Sequence, residues 1–361
     1  MLVQLAHPIG DKGFGNDSEW PPGHAFAGYP PAMAEAAETQ ADIPGVTHRH
    51  VQAGELRMHI AEAGDGPLVL LLHGFPESWY SWRHQLTALA AAGYHAVAPD
   101  QRGYCATGPP DTATRSAQVE DYTMLHLTGD VIQLMDALGA EQAVVAGHDW
   151  GAPVAWHAGL FRPDRVRGVI AMSVPYHPRG SVPPIATIRS QLGESFYMVY
   201  FQEPGVADAE LSRDPATSFR KILCGLAGES RGSRLIAPGG GFLDSVDDPA
   251  ELPAWLSQHD IDIYVAQYAQ SGFTGPLNWY RNVDRSWELT AAWQHAHVQV
   301  PALFIAGDRD PVIGFNSPDG LATVVPKLTR SVILPGCGHW TQQERPAEVN
   351  AAMIGFLGEL F

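Results

Sequence analysis

GHDWGAPVAW, residues 147–156, sets one carboxylate, Asp149, between two glycines where one sequence periodicity gives way to another. The run that leads into it, QAVVAGHD (142–149), is short and apolar and reads as a buried strand, whereas GAPVAWHAGLFRP (151–163) carries a helical pattern. Gly147 and Gly151 stand two positions either side of Asp149, at a strand-to-helix turn too sharp for side chains there. The aspartate is thereby presented on a strained tip beside a helix N-terminus, whose dipole favours a carboxylate. An isolated G-x-D-x-G would as readily be a plain helix cap, so the rest of the chain has to decide.

Outward from this turn, LVLLLHG (68–74), YHAVAPD (94–100), RGVIAMSVP (167–175), ALFIAGD (302–308) and RSVILPG (330–336) also read as buried strands. Helical segments such as YTMLHLTGDVIQLMDALG (122–139) lie between them. Strands alternating with helices imply parallel crossovers, hence an α/β fold with a doubly wound, mostly parallel sheet. LRMHIAEAG (56–64) alternates and reads as an antiparallel edge strand. The alternation stops near Pro175 and resumes near Val300. Aromatics and helical patterns fill the interval, which is expected to form a helical lid over the C-terminal edge of the sheet, where open α/β sheets bind ligands. The expected organisation is an N-terminal extension over 1–42, broken by WPPG and YPP, a core in 43–175 and 300–361, and the lid in 176–299. Within the lid, APGGGFLDSVDDPAEL (237–252) reads as a flexible loop.

With serine in place of Asp149 the turn would be the nucleophile elbow, G-x-S-x-G. Two further residues fit such a site by chain order. Asp310 follows a strand in FIAGDRDPV, and His339 lies just beyond another in LPGCGHW, giving nucleophile, acid and histidine in the order used by the α/β-hydrolase triad. Asp308 competes for the acid role, but the position three after Gly307 and just before Pro-Val favours Asp310. HGFPESWYSW (73–82) directly follows the strand LVLLL. In such folds this loop supplies one backbone N–H of an oxyanion hole and the residue after the nucleophile supplies the other, here Phe75 and Trp150.

An aspartate suits a different reaction from a serine. Attack on a carbonyl would give an anhydride, whereas displacement at a saturated carbon gives an alkyl ester and expels an oxygen or a halide. Water activated by His339 would then hydrolyse the ester at the carbonyl carbon of Asp149, with Asp310 orienting the imidazole. A departing alkoxide needs an acid; a halide needs only N–H donors.

ESFYMVYFQEPGVADAEL (194–211) and SGFTGPLNWYRN (271–282), with HGFPESWYSWR (73–83) and GCGHWTQ (336–342), closely resemble the hydrolase domain of soluble epoxide hydrolases, from about residue 45 to the C-terminus. The resemblance implies an α/β-hydrolase fold and two lid tyrosines that protonate the epoxide oxygen. The second falls on Tyr280; the first falls on Tyr197, with Tyr200 the alternative. A phenol, with a reference pKa of about 10, can serve as that donor at neutral pH. The stretch from about 230 to 256 is left unmatched by this resemblance and is expected to reshape one wall of the pocket. Cys105, in RGYCATGPP, stands where a glycine is common. The rivals are a haloalkane dehalogenase, for which Trp150 could bind halide, and a ligand receptor on a hydrolase scaffold.

Composition narrows the partners. The 361 residues include 22 basic and 39 acidic ones, a net charge of −17 that repels nucleic acid and anionic lipid. Three widely spaced cysteines, with no His–carboxylate spacing of a ligand set, suggest neither a disulfide framework nor a metal. No cofactor is expected, no apolar run approaches a membrane span, and no export signal is seen, so a cytoplasmic location is expected. The substrates expected are a lipophilic epoxide and water, in a pocket walled by Phe75, Trp150 and lid aromatics. A homo-oligomer is left open.

Overall fold

The computed structural model describes residues 42–108, 118–230, 235–246 and 248–361. The expected extension thus lies outside the described residues except for Asp42. Eight strands form one sheet: β1 (Thr47–Ala53), β2 (Leu56–Ala63), β3 (Leu68–Leu72), β4 (His95–Pro99), β5 (Ala143–His148), β6 (Val166–Met172), β7 (Ala302–Gly307) and β8 (Leu328–Leu334). Their order is β1-β2-β4-β3-β5-β6-β7-β8. β1 and β2 join antiparallel, and β3 to β8 pair in parallel. Every residue of β3, β5 and β7 is buried, as strands covered on both faces must be.

Helices α1 (Arg83–Ala91), α2 (Met124–Ala137) and α3 (Gly151–Phe161) follow β3, β4 and β5. Between β6 and β7 lie α4 (Pro184–Leu192), α5 (Tyr197–Tyr200), α6 (Val206–Arg213), α7 (Pro215–Gly225), α8 (Gln258–Ser271), α9 (Thr274–Arg281) and α10 (Val283–Leu289). The chain ends with α11 (Leu321–Val324), α12 (Thr341–Glu344) and α13 (Pro346–Leu360). This is the α/β-hydrolase fold read from the sequence. The order reverses at β3, which lies between β4 and β5, so the loops leaving β3 and β5 diverge at the switch point where such sheets bind ligands.

Two strand readings need correction. LRMHIAEAG is antiparallel but not the edge: β1 pairs outside it, through Gly54, whose φ of 58° suits the first position of a type II′ hairpin. β1 escapes apolar-run reading because only Val51 and Ala53 of THRHVQA are buried. RSVILPG is not a buried strand, since β8 is the opposite edge and only its Leu334 is buried. Cys105 has φ 46°, the left-handed region that glycine enters without strain, which accounts for glycine being common there. No helix among the described residues is long and apolar enough to cross a membrane.

Candidate active site

The turn between β5 and α3 leaves no room for substitution at its glycines. A Cβ on Gly147 would come within 2.0 Å of the Gly151 carbonyl oxygen, and one on Gly151 within 2.0 Å of Leu72 O. Asp149 between them has φ 49°, a conformation costing a non-glycine residue roughly 1–3 kcal/mol. The strained turn aims its carboxylate at two neighbours. Phe75 N–H donates to Oδ1 at 2.8 Å, and His339 Nε2 lies 3.4 Å from Oδ2. Trp150 N–H makes no hydrogen bond to this carboxylate among the described residues.

His339 Nδ1 faces Asp310 Oδ1 at 3.1 Å, and Val312 N–H donates to the same oxygen at 2.8 Å. Asp308, the competitor, instead accepts from Gly336 N–H at an exposed turn. Burial by itself would lower the His339 pKa, but the Asp310 charge and the hydrogen bonds with Asp149 and Asp310 reverse this and push it up to about 10. Burial works to raise the Asp310 pKa, yet the adjacent imidazole and its hydrogen bond hold that carboxyl below the usual range.

Asp149 and His339 open into an apolar cavity whose walls include Phe75, Tyr197, Phe201, Phe242 and Tyr280. It is narrow, leaving about 50 Å³ for the centre of a water molecule. The Tyr197 and Tyr280 ring centroids are 6.1 Å apart, and Tyr280 stands edge-on to Phe75 at 5.4 Å. Burial, reinforced by the Asp149 charge, pushes the Tyr280 phenol well above its ordinary pKa, so it keeps its proton at any physiological pH. Tyr200 is directed elsewhere: its hydroxyl donates to Glu210 at 2.9 Å. Trp150 also departs from its expected place in the wall. As the first residue before α3 it meets Tyr280 edge-on, at 5.0 Å between ring centroids, and Trp279 at 6.0 Å, and it is not among the residues that line the cavity. Among the described residues no cluster of three His, Cys, Asp or Glu side chains is placed to hold a metal ion.

Three buried residues join this site without having been singled out from the sequence. Ser173, beyond β6 with φ 70°, places its hydroxyl 2.9 Å from His339 Nδ1. Glu77 accepts from Gly74 N–H at 3.0 Å, from Gln342 at 2.9 Å and from Gln343 at 3.0 Å, and meets His148 Nδ1 at 2.8 Å. The other nitrogen of His148 donates to the His339 carbonyl at 2.7 Å. Both ring nitrogens of His148 thus face acceptors. Burial would raise the Glu77 pKa, but the charge and hydrogen bond of His148 keep it lowered. One buried hydrogen-bonded pair, Glu77 and His148, therefore ties together the loop of Phe75, the turn of Asp149 and the segment of His339. Both members sit inside motifs legible in the sequence, HGFPES and GHDWG, whereas nothing local marks Ser173.

The family of the α/β hydrolase fold matches residues 67–202. Epoxide hydrolase A of Mycobacterium tuberculosis is 50% identical over 318 residues, covering 86% of this chain and 97% of that protein. Epoxide hydrolase 3 of Siraitia grosvenorii is 42% identical, covering 87% and 99%. Among solved structures, epoxide hydrolase A from Mycobacterium thermoresistibile superposes with a TM-score of 0.82 at 48% identity, covering 87% of this chain and 98% of that one. With this likeness covering 86–87% of the chain, and with a carboxylate on the tip where the fold otherwise carries serine, the chain belongs to the α/β-hydrolase-fold epoxide hydrolases.

Proposed function

We propose that the protein hydrates lipophilic epoxides to vicinal diols through an ester on Asp149. The observation that carries this reading is the meeting of a carboxylate, a histidine and two phenols in one apolar cavity. An Asp149 oxygen attacks a ring carbon, the carbon–oxygen bond of the ring breaks, and Tyr197 or Tyr280 gives its proton to the departing oxygen. Water then attacks the carbonyl carbon of Asp149 while His339 takes its proton. The charge that develops on the Asp149 oxygen is met by Phe75 N–H, with Trp150 N–H turning to it as the second donor. Collapse frees the diol: His339 returns its proton to the leaving oxygen, and the acid proton of Asp149 restores the phenol. Asp310 holds the imidazole in place and balances its positive charge.

The same reading makes residues 176–299 the lid and residues 43–175 and 300–361 the core that carries the nucleophile, base and acid. Its site is complete within one chain, so a homo-oligomer is not needed for the chemistry. A reducing cytoplasm suits the three cysteines, all of them buried and none of them in a disulfide among the described residues. Product analysis on aryl and aliphatic epoxides beside matched bromoalkanes tests the reading. Wild type should form diol without releasing bromide, and Asp149→Asn should form none. Bromide without diol would overturn the reading in favour of a dehalogenase.

A pH dependence follows from the charges around His339. In the resting site two carboxylates hold the imidazole protonated, with a pKa of about 10. Esterification turns Asp149 neutral and removes one of them, so the pKa falls, the imidazole gives its proton to solvent, and the free base is there when water must be activated; it takes a proton back from solvent once Asp149 is a carboxylate again. Ester decay followed by rapid quench should therefore rise with pH and level off through an apparent pKa below that of the resting enzyme. A decay rate still climbing at pH 10 would rule out this release.

A further inference from the structure

The stretch without a counterpart in the family resemblance supplies part of the cavity wall. Phe242 and Val246 both line the cavity, and Phe242 packs edge-on against Phe201 with ring centroids 5.0 Å apart. A loop of this composition has no reason of its own to stay there: Gly239, Gly240 and Gly241 precede Phe242, and only the three-residue turn Leu243–Ser245 is helical. The ends of the stretch are tied by Ile236 N–H to Ser195 O at 2.8 Å and by Arg220 to Asp248 at 2.8 Å, and the turn at Phe242 and Leu243 is held by a carboxylate on a different element. Glu210, near the end of α6, accepts from Phe242 N–H at 3.0 Å on one oxygen and from Leu243 N–H at 2.8 Å on the other. The Tyr200 hydroxyl donates to the first oxygen at 2.9 Å, which braces the carboxylate from α5. Lys221 of α7 donates to Leu243 O at 2.7 Å.

The packing around this carboxylate is close. A Cβ on Gly241 would come within 2.2 Å of Glu210 Oε1, so any larger residue there would displace the carboxylate from its place. At the far side of the turn, a Cβ on Gly225 would come within 2.0 Å of Val246 Cγ1, so Val246 fills the notch that Gly225 leaves. Both glycines are used for close approach, one on the anchor and one on the wall. Glu210 itself does not line the cavity.

We propose that Glu210 is a positioning residue for specificity: its carboxylate pins the Phe242–Val246 wall over the cavity and restricts the enzyme to epoxides with slim apolar substituents. This rests on the epoxide hydrolase reading and adds to it a determinant outside the catalytic groups. The cavity is narrow because the wall is pinned, and two main-chain N–H donors on one carboxylate pin it more firmly than side-chain packing on a glycine-rich loop. Releasing the anchor leaves Asp149, His339, Tyr197 and Tyr280 in place and lets the wall retreat.

The test compares kcat/KM of wild type, Glu210→Ala, Glu210→Gln and Tyr200→Phe on a slim epoxide, 1,2-epoxyhexane, and a bulky one, trans-stilbene oxide. Glu210→Ala should shift the ratio toward the bulky substrate by roughly tenfold or more, the scale on which pocket contacts discriminate, while kcat on the slim one stays near wild type. Glu210→Gln, which keeps one acceptor oxygen, and Tyr200→Phe, which removes the brace alone, should shift it less and in the same direction. A purely structural role would lower the active fraction and reduce both substrates alike, leaving the ratio unmoved; that result overturns the proposal. If Glu210→Ala does not fold, the two milder variants decide by the same ratio. Wild type that forms diol with an unmoved ratio in the variants refutes the anchor alone, whereas wild type forming no diol from either epoxide refutes the reading beneath it.

Discussion

His339→Gln protein mixed with an epoxide is expected to gain the mass of one substrate molecule and to hold it. The nucleophile, the Phe75 N–H and both phenols remain, so the ring can open and the ester can form. What is lost is the group placed to take a proton from water: His339 Nε2 lies 3.4 Å from Oδ2 and its imidazole is backed by Asp310. General-base assistance is worth roughly 10²–10⁴-fold, so ester decay should slow by about that factor and the adduct should accumulate. Intact-mass measurement over minutes checks it, and proteolysis should place the added mass on the peptide containing Asp149. Steady diol formation with no adduct would remove His339 from the role of base. The substitution also leaves Asp310 buried without its cationic partner, so thermal stability should fall as well.

Replacing both lid phenols, Tyr197→Phe with Tyr280→Phe, should abolish the first step instead of the second. The two rings share the cavity with Asp149, and Tyr280 stays protonated because burial and the Asp149 charge both oppose its ionisation. Without a donor the ring oxygen must leave as a bare alkoxide in an apolar pocket, which costs roughly 10²–10⁴-fold in rate. Single-turnover alkylation should fall by that order in the double variant. Each single variant should lose less, since the other phenol can still donate. A competitive amide or urea that only fills the pocket should still bind, although more weakly. An alkylation rate equal to wild type would show that the ring oxygen finds its proton elsewhere, and the phenols would then be packing residues.

The outcome of these two experiments separates the halves of the site. One variant makes ester and cannot discharge it; the other cannot make it. Glu77 and His148 belong to neither half. They connect the loop of Gly74, the turn of Asp149 and the carbonyl of His339, so removing either side chain leaves buried polar atoms of the other without a partner.

The parts of this protein legible in its sequence are those governed by local physics. β3, β5 and β7 are continuous apolar runs because helices cover both faces, and a run of that kind can be read without knowing what covers it. The glycines around Asp149 follow from a steric limit two residues wide, and the order of Asp149, Asp310 and His339 follows from strand ends that are themselves readable. β1 and β8 are not legible in this way, because an edge strand mixes polar and apolar residues according to which neighbour it finds.

The tertiary structure alone decided the contacts between charges distant in the chain. Glu77 reaches Gln342 and Gln343 across more than 260 residues, Ser173 meets His339 across 166, and Glu210 grips the backbone of Phe242 across 32. A carboxylate carries no sequence mark of the donor it will find, because its partner is chosen by how the strand ends and lid helices converge. Sequence by itself therefore determined the fold and the chemistry of the nucleophile; only packing determined which buried charges hold that nucleophile, and the wall facing it, in place.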